Sequence, residues 1–139
     1  MSELSLADVG VKQFNKDHQR LLFYIVEFNR LVVRFQEREP FEDEWDQIRI
    51  LFKRLDKYTK VHFKAEETLM VEQGYPLYEE HLKQHHALID ALAELKKKVK
   101  AQDARYIADI KSFLLDWLRN HINGHDLKYR DFFKEKKVD

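Results

Sequence analysis

Apolar residues recur at helical spacing along most of this chain. Between Asn15 and Arg38 they fall three or four positions apart, as in a helix that turns one apolar stripe towards a core. The same period runs through residues 42–73, 76–100 and 103–122. The pattern therefore predicts four amphipathic helices.

The residues that break helices lie at or beyond the predicted helix ends. The chain has only 3 Gly and 2 Pro. Pro40 ends the first helix, because the residue before a proline avoids the helical region. Gly74 suits the C-terminal end of the second helix, and Pro76 suits the first turn of the third. Asn15 and Asp103 are the predicted N-caps of the first and fourth helices.

The short connections predict how the helices pack. Helices joined by a few residues must run antiparallel to their neighbours, which predicts an all-α, up-down-up-down antiparallel four-helix bundle. At 139 residues the chain is expected to form a single domain over 1–139. Residues 1–14 would form a short N-terminal arm, and residues 134–139 a frayed tail.

Charge and composition narrow the possible partners. With 25 Lys+Arg and 25 Asp+Glu, the net charge is zero, which gives no electrostatic case for nucleic acid or an anionic membrane as partner. Cysteine is absent, which excludes disulfides, thiolate zinc sites and iron–sulfur clusters. No run approaches the ~20 apolar residues of a membrane span, and the N-terminus lacks the features of a signal peptide. We expect a cytoplasmic protein without membrane insertion.

Several metal-binding side chains lie on the apolar stripes. His62 and Glu66 are four residues apart and share one helix face. His81 and His85 have the same spacing. Antiparallel packing places all of these residues at one end of the bundle, where burying them without a metal would be costly. Imidazole and carboxylate together suit transition metals. The candidate ligands are His18, His62, Glu66, His81, His85, His121 and Asp126.

The last ligand of the fourth helix is ambiguous from spacing. His121 and Asp126 are five residues apart, or about 140° around a regular helix. His125 is four residues from His121, which is slightly better. Gly124 would permit a local widening or an end of the helix that swings Asp126 inward. Spacing leaves the choice between His125 and Asp126 open.

Six short stretches together form a specific pattern, although each HxxxE or HxxxH spacing alone is common. They are VGV at 9–11, DH at 17–18, HFKAEETLM at 62–70, GYP at 74–76, HLKQH at 81–85 and WLRNHINGHD at 117–126. These stretches are spread along nearly the whole chain, and in them the chain resembles the hemerythrin family. The resemblance is to its bacterial single-domain members, the bacteriohemerythrins.

The resemblance implies a non-haem di-iron centre with an oxo or hydroxo bridge. It assigns three imidazoles to the first iron, two to the second, and two carboxylates that bridge both. The first iron would have His81, His85 and His121, the second His18 and His62, and the bridges would be Glu66 and Asp126. This count leaves one open position at the second iron, where dioxygen would bind.

The resemblance also implies a pocket and an activity. An apolar pocket would surround the open position. Its residues would be Phe63, Trp117, Leu118 and Ile122. The implied function is reversible dioxygen binding for storage, delivery (oxygen transport) or sensing, with at most a weak peroxidase-like activity. One position departs from the commonest family form, because Asp17 stands where a Gln precedes the first ligand.

Other functions fit parts of this pattern. A di-iron redox enzyme acting on peroxide or nitric oxide is the main alternative, and it would require an electron donor. An oxygen carrier would instead serve an oxygen-using enzyme, and a sensor would change its helix packing on binding. A ferritin-like site is excluded, because no Glu lies three residues before any His. A dizinc site is allowed by the ligands, but zinc prefers four of them.

Overall fold

The computed structural model describes residues 6–138, and the predicted arm residues 1–5 and Asp139 of the predicted tail lie outside this range. Within it the chain is almost entirely helical. The α-helices are α1 (Lys12–Val32), α2 (Glu42–Gln73), α3 (Tyr78–Lys100), α4 (Ala104–Asn120) and α5 (Leu127–Glu135). A 3-10 turn (Val33–Gln36) extends α1, and a π-helical segment (His121–Asp126) joins α4 to α5.

The helices form the predicted antiparallel four-helix bundle. α1 packs against α2 and α4, and α3 packs against the same two helices, so consecutive helices are neighbours. The backbone stays helical through the π-helical segment, so α4 and α5 form one continuous fourth rod. The core between the rods is apolar. Its fully buried side chains include Phe28, Ile48, Leu92, Leu95, Ile107 and Leu114.

Two of the predicted helix starts are wrong. α1 begins at Lys12, so Asn15 is not an N-cap but lies in the first turn. The Asn15 side chain instead accepts a hydrogen bond from the N–H of Val9 at 3.0 Å and donates to Asp8 at 2.8 Å, which ties the preceding segment to the helix. α3 begins at Tyr78 rather than at the proline, because residues 75–78 form a turn first.

Other predicted ends are confirmed. The Asp103 carboxylate accepts a hydrogen bond from the N–H of Tyr106 at 3.1 Å and so caps α4. Gly74 ends α2 with φ +67°, a left-handed conformation that glycine adopts without strain. Among the described residues, no helix combines the length and the apolar character needed to cross a membrane.

A buried carboxylate holds the start of α2. Arg38 donates to Glu44 through both terminal nitrogens, at 2.7 and 2.9 Å, and the N–H of Phe41 donates to the same carboxylate at 2.8 Å. The Arg38 hydrogen bonds, followed by that of Phe41, lower the pKa of Glu44 to about 2 against the opposing effect of burial. The ionised form of Glu44 therefore stabilises the connection between the first two rods.

We predict that Glu44→Gln lowers the free energy of unfolding at pH 7. Because the pKa of Glu44 is about 2 when folded against a reference of 4.5, its stabilisation is present above pH 4.5 and is lost as the pH falls towards 2. The difference between variant and wild type should therefore shrink across that interval in urea unfolding curves. Glu42→Gln, an exposed acid in the same first turn, is the control. A constant difference from pH 7 to pH 3 would contradict this account.

Candidate metal centre

Seven buried polar side chains meet at one end of the bundle. They come from all four rods, and each is at most 3 % exposed. Their potential ligand atoms form two groups, within each of which all atoms lie within 4.8 Å of one another. The first group, the three-histidine group, has His81, His85 and His121; the second, the two-histidine group, has His18 and His62; and both include Glu66 and Asp126. The structure thus brings together all seven candidate ligands.

Glu66 lies between the two groups. Its Oε1 atom is 3.1 Å from Nε2 of His85 in the three-histidine group. Its Oε2 atom is 3.4 Å from Nε2 of His62 and 3.6 Å from Nε2 of His18, in the two-histidine group. The two oxygens of one carboxylate therefore face different groups, as they would in a bridge between two cations.

Asp126 divides its oxygens in the same way. Its Oδ1 atom lies 2.8 Å from Nε2 of His81 and 3.0 Å from Nε2 of His121. Its Oδ2 atom lies 3.1 Å from Nε2 of His18. Both carboxylates thus present one oxygen to the three-histidine group and one to the two-histidine group.

The hydrogen-bonding potential of this cluster is largely unused. Although some of these nitrogens and oxygens lie within 3.1 Å of one another, none of the following buried atoms makes a hydrogen bond of suitable geometry: Nε2 of His18, His62, His81, His85 and His121, Oε1 of Glu66, and both carboxylate oxygens of Asp126. A buried polar atom without a partner costs about 1–3 kcal/mol. Cations bound among these nitrogens and oxygens would give each of the atoms a partner and so remove that cost. The donor set therefore fits a pair of transition-metal ions.

The π-helical segment explains why Asp126, not His125, joins the cluster. In a π-helix the hydrogen bond spans five residues, and the N–H of Leu127 donates to the carbonyl of Ile122, five positions back. The wider turn brings residues five apart onto one face, so Asp126 lies beside His121. Regular helical spacing slightly favoured His125, and that preference is wrong. The His125 ring is half-buried, lies 5.6 Å from the His121 ring and belongs to neither group.

Three polar side chains outside the cluster contact the candidate ligands. Nδ1 of His62 lies 2.7 Å from Oδ2 of Asp17, and Nδ1 of His85 lies 2.8 Å from Oε2 of Glu67. The Tyr129 hydroxyl donates to Oε2 of Glu66 at 2.5 Å. Sequence reasoning singled out Asp17 but assigned no role to Glu67 or Tyr129. The position of Glu67, an acid directly after a candidate ligand, was the signal in the sequence that could have indicated its role.

In the metal-free cluster, protons are held by imidazoles such as that of His62 rather than by the two carboxylates. Burial raises the pKa of Glu66, but the surrounding imidazoles, His62 foremost, outweigh burial and hold this pKa well below its usual range. Burial lowers the pKa of His62, but the charge of Glu66 and the hydrogen bond to Asp17 outweigh burial and raise this pKa to about 10. Burial, reinforced by Glu66, raises the pKa of Tyr129, which stays a donor. Metal binding at this cluster would therefore displace protons from imidazoles and would weaken at low pH.

Apolar surface borders the cluster. The Phe63 ring stacks on His85, with centroids 3.7 Å apart, and the Trp117 ring stacks on His121 at 4.4 Å. Both rings also line a narrow cavity of about 10 Å³, close to the smallest volume that holds one water molecule. The other lining residues are Leu21, Ile25, Leu55, Thr59, Leu88, Leu92, Leu114 and Leu118. Ile122, the fourth predicted pocket residue, is fully buried but does not line this cavity.

Fold and site together define a four-helix bundle with a buried cluster of His, Glu and Asp side chains that could hold cations. Residues 9–131 match the family model of the hemerythrin HHE cation binding domain. The chain belongs to the hemerythrin family.

Individual relatives agree with that assignment. A bacteriohemerythrin of Methylococcus capsulatus is 40% identical over 72 residues, which cover 52% of this chain and 55% of that one. The match thus spans about half the length of that relative. A bacteriohemerythrin of Pseudomonas paraeruginosa is 32% identical over 125 residues, or 89% of this chain and 75% of that one. A crystal structure of a hemerythrin mutant superposes with a TM-score of 0.76 at 26% identity, over 88% of each chain.

We predict that Asp126, not His125, is needed for metal binding. The His125→Ala variant should bind two Co²⁺ ions per chain like the wild type, because its ring lies outside both groups. The Asp126→Asn variant should lose at least one ion, because it removes a charged donor shared by both groups. Equilibrium dialysis with metal analysis measures the stoichiometry. Loss of an ion in His125→Ala, with full binding in Asp126→Asn, would reverse the assignment.

Proposed function

We propose that this protein binds dioxygen reversibly at a di-iron centre. The observation that carries the proposal is the division of both carboxylates, Glu66 and Asp126, between the three-histidine group and the two-histidine group. Such a pair of shared carboxylates suits two cations held side by side. Membership in the hemerythrin family supports iron as the metal.

The ligand count supports different roles for the two ions. The three-histidine group would hold one iron with His81, His85 and His121, and the two-histidine group would hold the other with His18 and His62. The second ion would receive one imidazole fewer and so keep a free coordination position. When bound, the ferrous pair would supply the electrons with which dioxygen is held and later released.

The chain's own side chains favour reversible binding. Phe63, Trp117 and Leu118 place apolar surface beside the ligand rings, which limits the access of water and protons to the centre. The Tyr129 hydroxyl is already engaged with Glu66, and the raised pKa of this phenol keeps its proton in place. A site that withholds protons retains a bound gas without irreversible oxidation.

One observation favours the second candidate, a redox enzyme that reduces peroxide or nitric oxide. Trp117 is half-buried and lines a surface depression with Phe113 and Asp116, while its ring stacks on His121. That contact offers a path by which electrons from an external donor would reach the centre. An oxygen carrier for storage, delivery or sensing has no need of such a path in each cycle.

The two functions are separated by a visible absorption spectrum. The metal-free protein is loaded anaerobically with ferrous iron, exposed to air, and then freed of oxygen again. We expect a charge-transfer band that appears in air and bleaches when oxygen is removed, with two irons per chain. Immediate conversion to a stable ferric spectrum, with steady consumption of added peroxide and reductant, would instead establish the enzyme.

The apolar cavity wall gives a further prediction. The Leu118→Asn variant places a polar amide at the lining of the cavity beside the ligand rings. We expect irreversible oxidation of the iron-loaded protein in air to become several-fold faster, because water and protons gain access. The decay of the oxygenated spectrum measures this rate. Leu77→Asn, at a position 41% exposed, controls for the chemical change and should leave the rate unchanged. Equal rates in the two variants would contradict the role of the dry wall.

A further inference from the structure

One ligand of the two-histidine group has a carboxylate on the side that faces away from the cluster. Nδ1 of His62 lies 2.7 Å from Oδ2 of Asp17, while Nε2 of the same ring faces the Glu66 carboxylate. The other ligand of this group, His18, has no hydrogen-bond partner at Nδ1. The orientation of His62 is therefore fixed by a charged partner at Nδ1, whereas His18 has no such partner at Nδ1.

Asp17 is itself held in place. Its Oδ1 atom accepts hydrogen bonds from the Tyr58 hydroxyl at 3.0 Å and from Nε2 of Gln13 at 2.8 Å, which leaves Oδ2 for His62. The Asp17 side chain is only 9% exposed. A buried carboxylate with three partners from two helices is a rigid support for the imidazole.

The three-histidine group has a weaker counterpart. Nδ1 of His85 lies 2.8 Å from Oε2 of Glu67, but the Glu67 side chain is 27% exposed. Water screens the charge of an exposed carboxylate more than that of a buried one. The influence of Asp17 on its ligand should therefore exceed that of Glu67 on His85.

We propose that Asp17 is a positioning residue that sets the metal affinity and the reduction potential of the two-histidine group. A carboxylate on Nδ1 keeps the proton on that nitrogen, directs Nε2 to the metal, and makes the imidazole a stronger donor. A stronger donor binds a divalent ion more tightly and stabilises the ferric state relative to the ferrous state. The affinity requires only a metal in this group, whereas the potential rests on the proposed di-iron function.

An amide side chain supplies a matched neutral substitution at position 17. An amide oxygen accepts a hydrogen bond but carries no charge. The Asp17→Gln and Asp17→Asn variants thus test the charge while retaining an acceptor, and Asp17→Glu restores the charge on a longer side chain. Glu67→Gln makes the same change of charge at the three-histidine group.

The first test is a titration of the metal-free proteins with cobalt(II) chloride, followed by calorimetry and by the visible absorption of bound Co²⁺. In Asp17→Asn we expect one of the two ions to bind about tenfold more weakly or worse, with the other unchanged. Asp17→Gln should behave alike, and Asp17→Glu should recover part of the loss. Glu67→Gln should weaken the binding of the other ion, and by a smaller factor.

The second test is a spectroelectrochemical titration of the iron-loaded proteins. Neutral residues at position 17 should move the midpoint potential to more positive values, a change that a purely structural role would not produce. Unchanged cobalt affinity and potential in both neutral variants would overturn the inference. So would equal weakening of both cobalt ions with a lowered melting temperature, since that result indicates a general structural defect.

The outcomes also separate this inference from the proposed function. If the wild type binds two Co²⁺ ions and the neutral variants weaken one, but the iron-loaded protein fails to bind dioxygen reversibly, the role of Asp17 in affinity stands and the proposed function fails. If the wild type binds dioxygen reversibly and the variants match it in affinity and potential, the proposed function stands and the inference fails.

Discussion

The end of the bundle that carries the site is organised by mutual attraction between buried imidazoles and two buried carboxylates. Glu66 and Asp126 are fully buried, and each carboxylate lies close to imidazole nitrogens of both histidine groups. Such charges are tolerated in an apolar interior only when every donor and acceptor finds a partner. Many of these atoms lack a hydrogen bond, so cations bound among them would supply the missing partners. Most of the remaining interior is apolar packing, with the buried Glu44 carboxylate at the start of α2 as an exception.

The elements around the cluster follow from this constraint. The π-helical segment is a departure from regular geometry at the point where Asp126 must face inward beside His121. Tyr129 lies just beyond it and reaches back to Glu66. Aromatic rings pack against the cluster as well, where Phe63 stacks on His85 and Trp117 stacks on His121. Backbone geometry, hydrogen bonding and packing thus all serve the placement of a few polar atoms.

How far the site could be predicted differs from residue to residue. The pairs His62/Glu66 and His81/His85 could be predicted, because four-residue spacing on an apolar stripe places both side chains of a pair inward. Asp126 could not be predicted from spacing, since a regular helix turns its side chain away from His121. Only the wider π turn brings the two side chains onto one face. The N-cap assigned to Asn15 failed because its side chain bonds to the preceding segment instead.

The sequence by itself determined four amphipathic helices, their antiparallel order and the end of the bundle at which the polar residues gather. These properties depend on local periodicity and on short connections, which a linear pattern contains. The tertiary structure decided which atoms meet: the contact of Asp17 with His62 across 45 residues and that of Tyr129 with Glu66 across 63. Such contacts depend on the rotation and depth of packed helices, which no local period specifies, and they fix which ring nitrogen faces the metal centre.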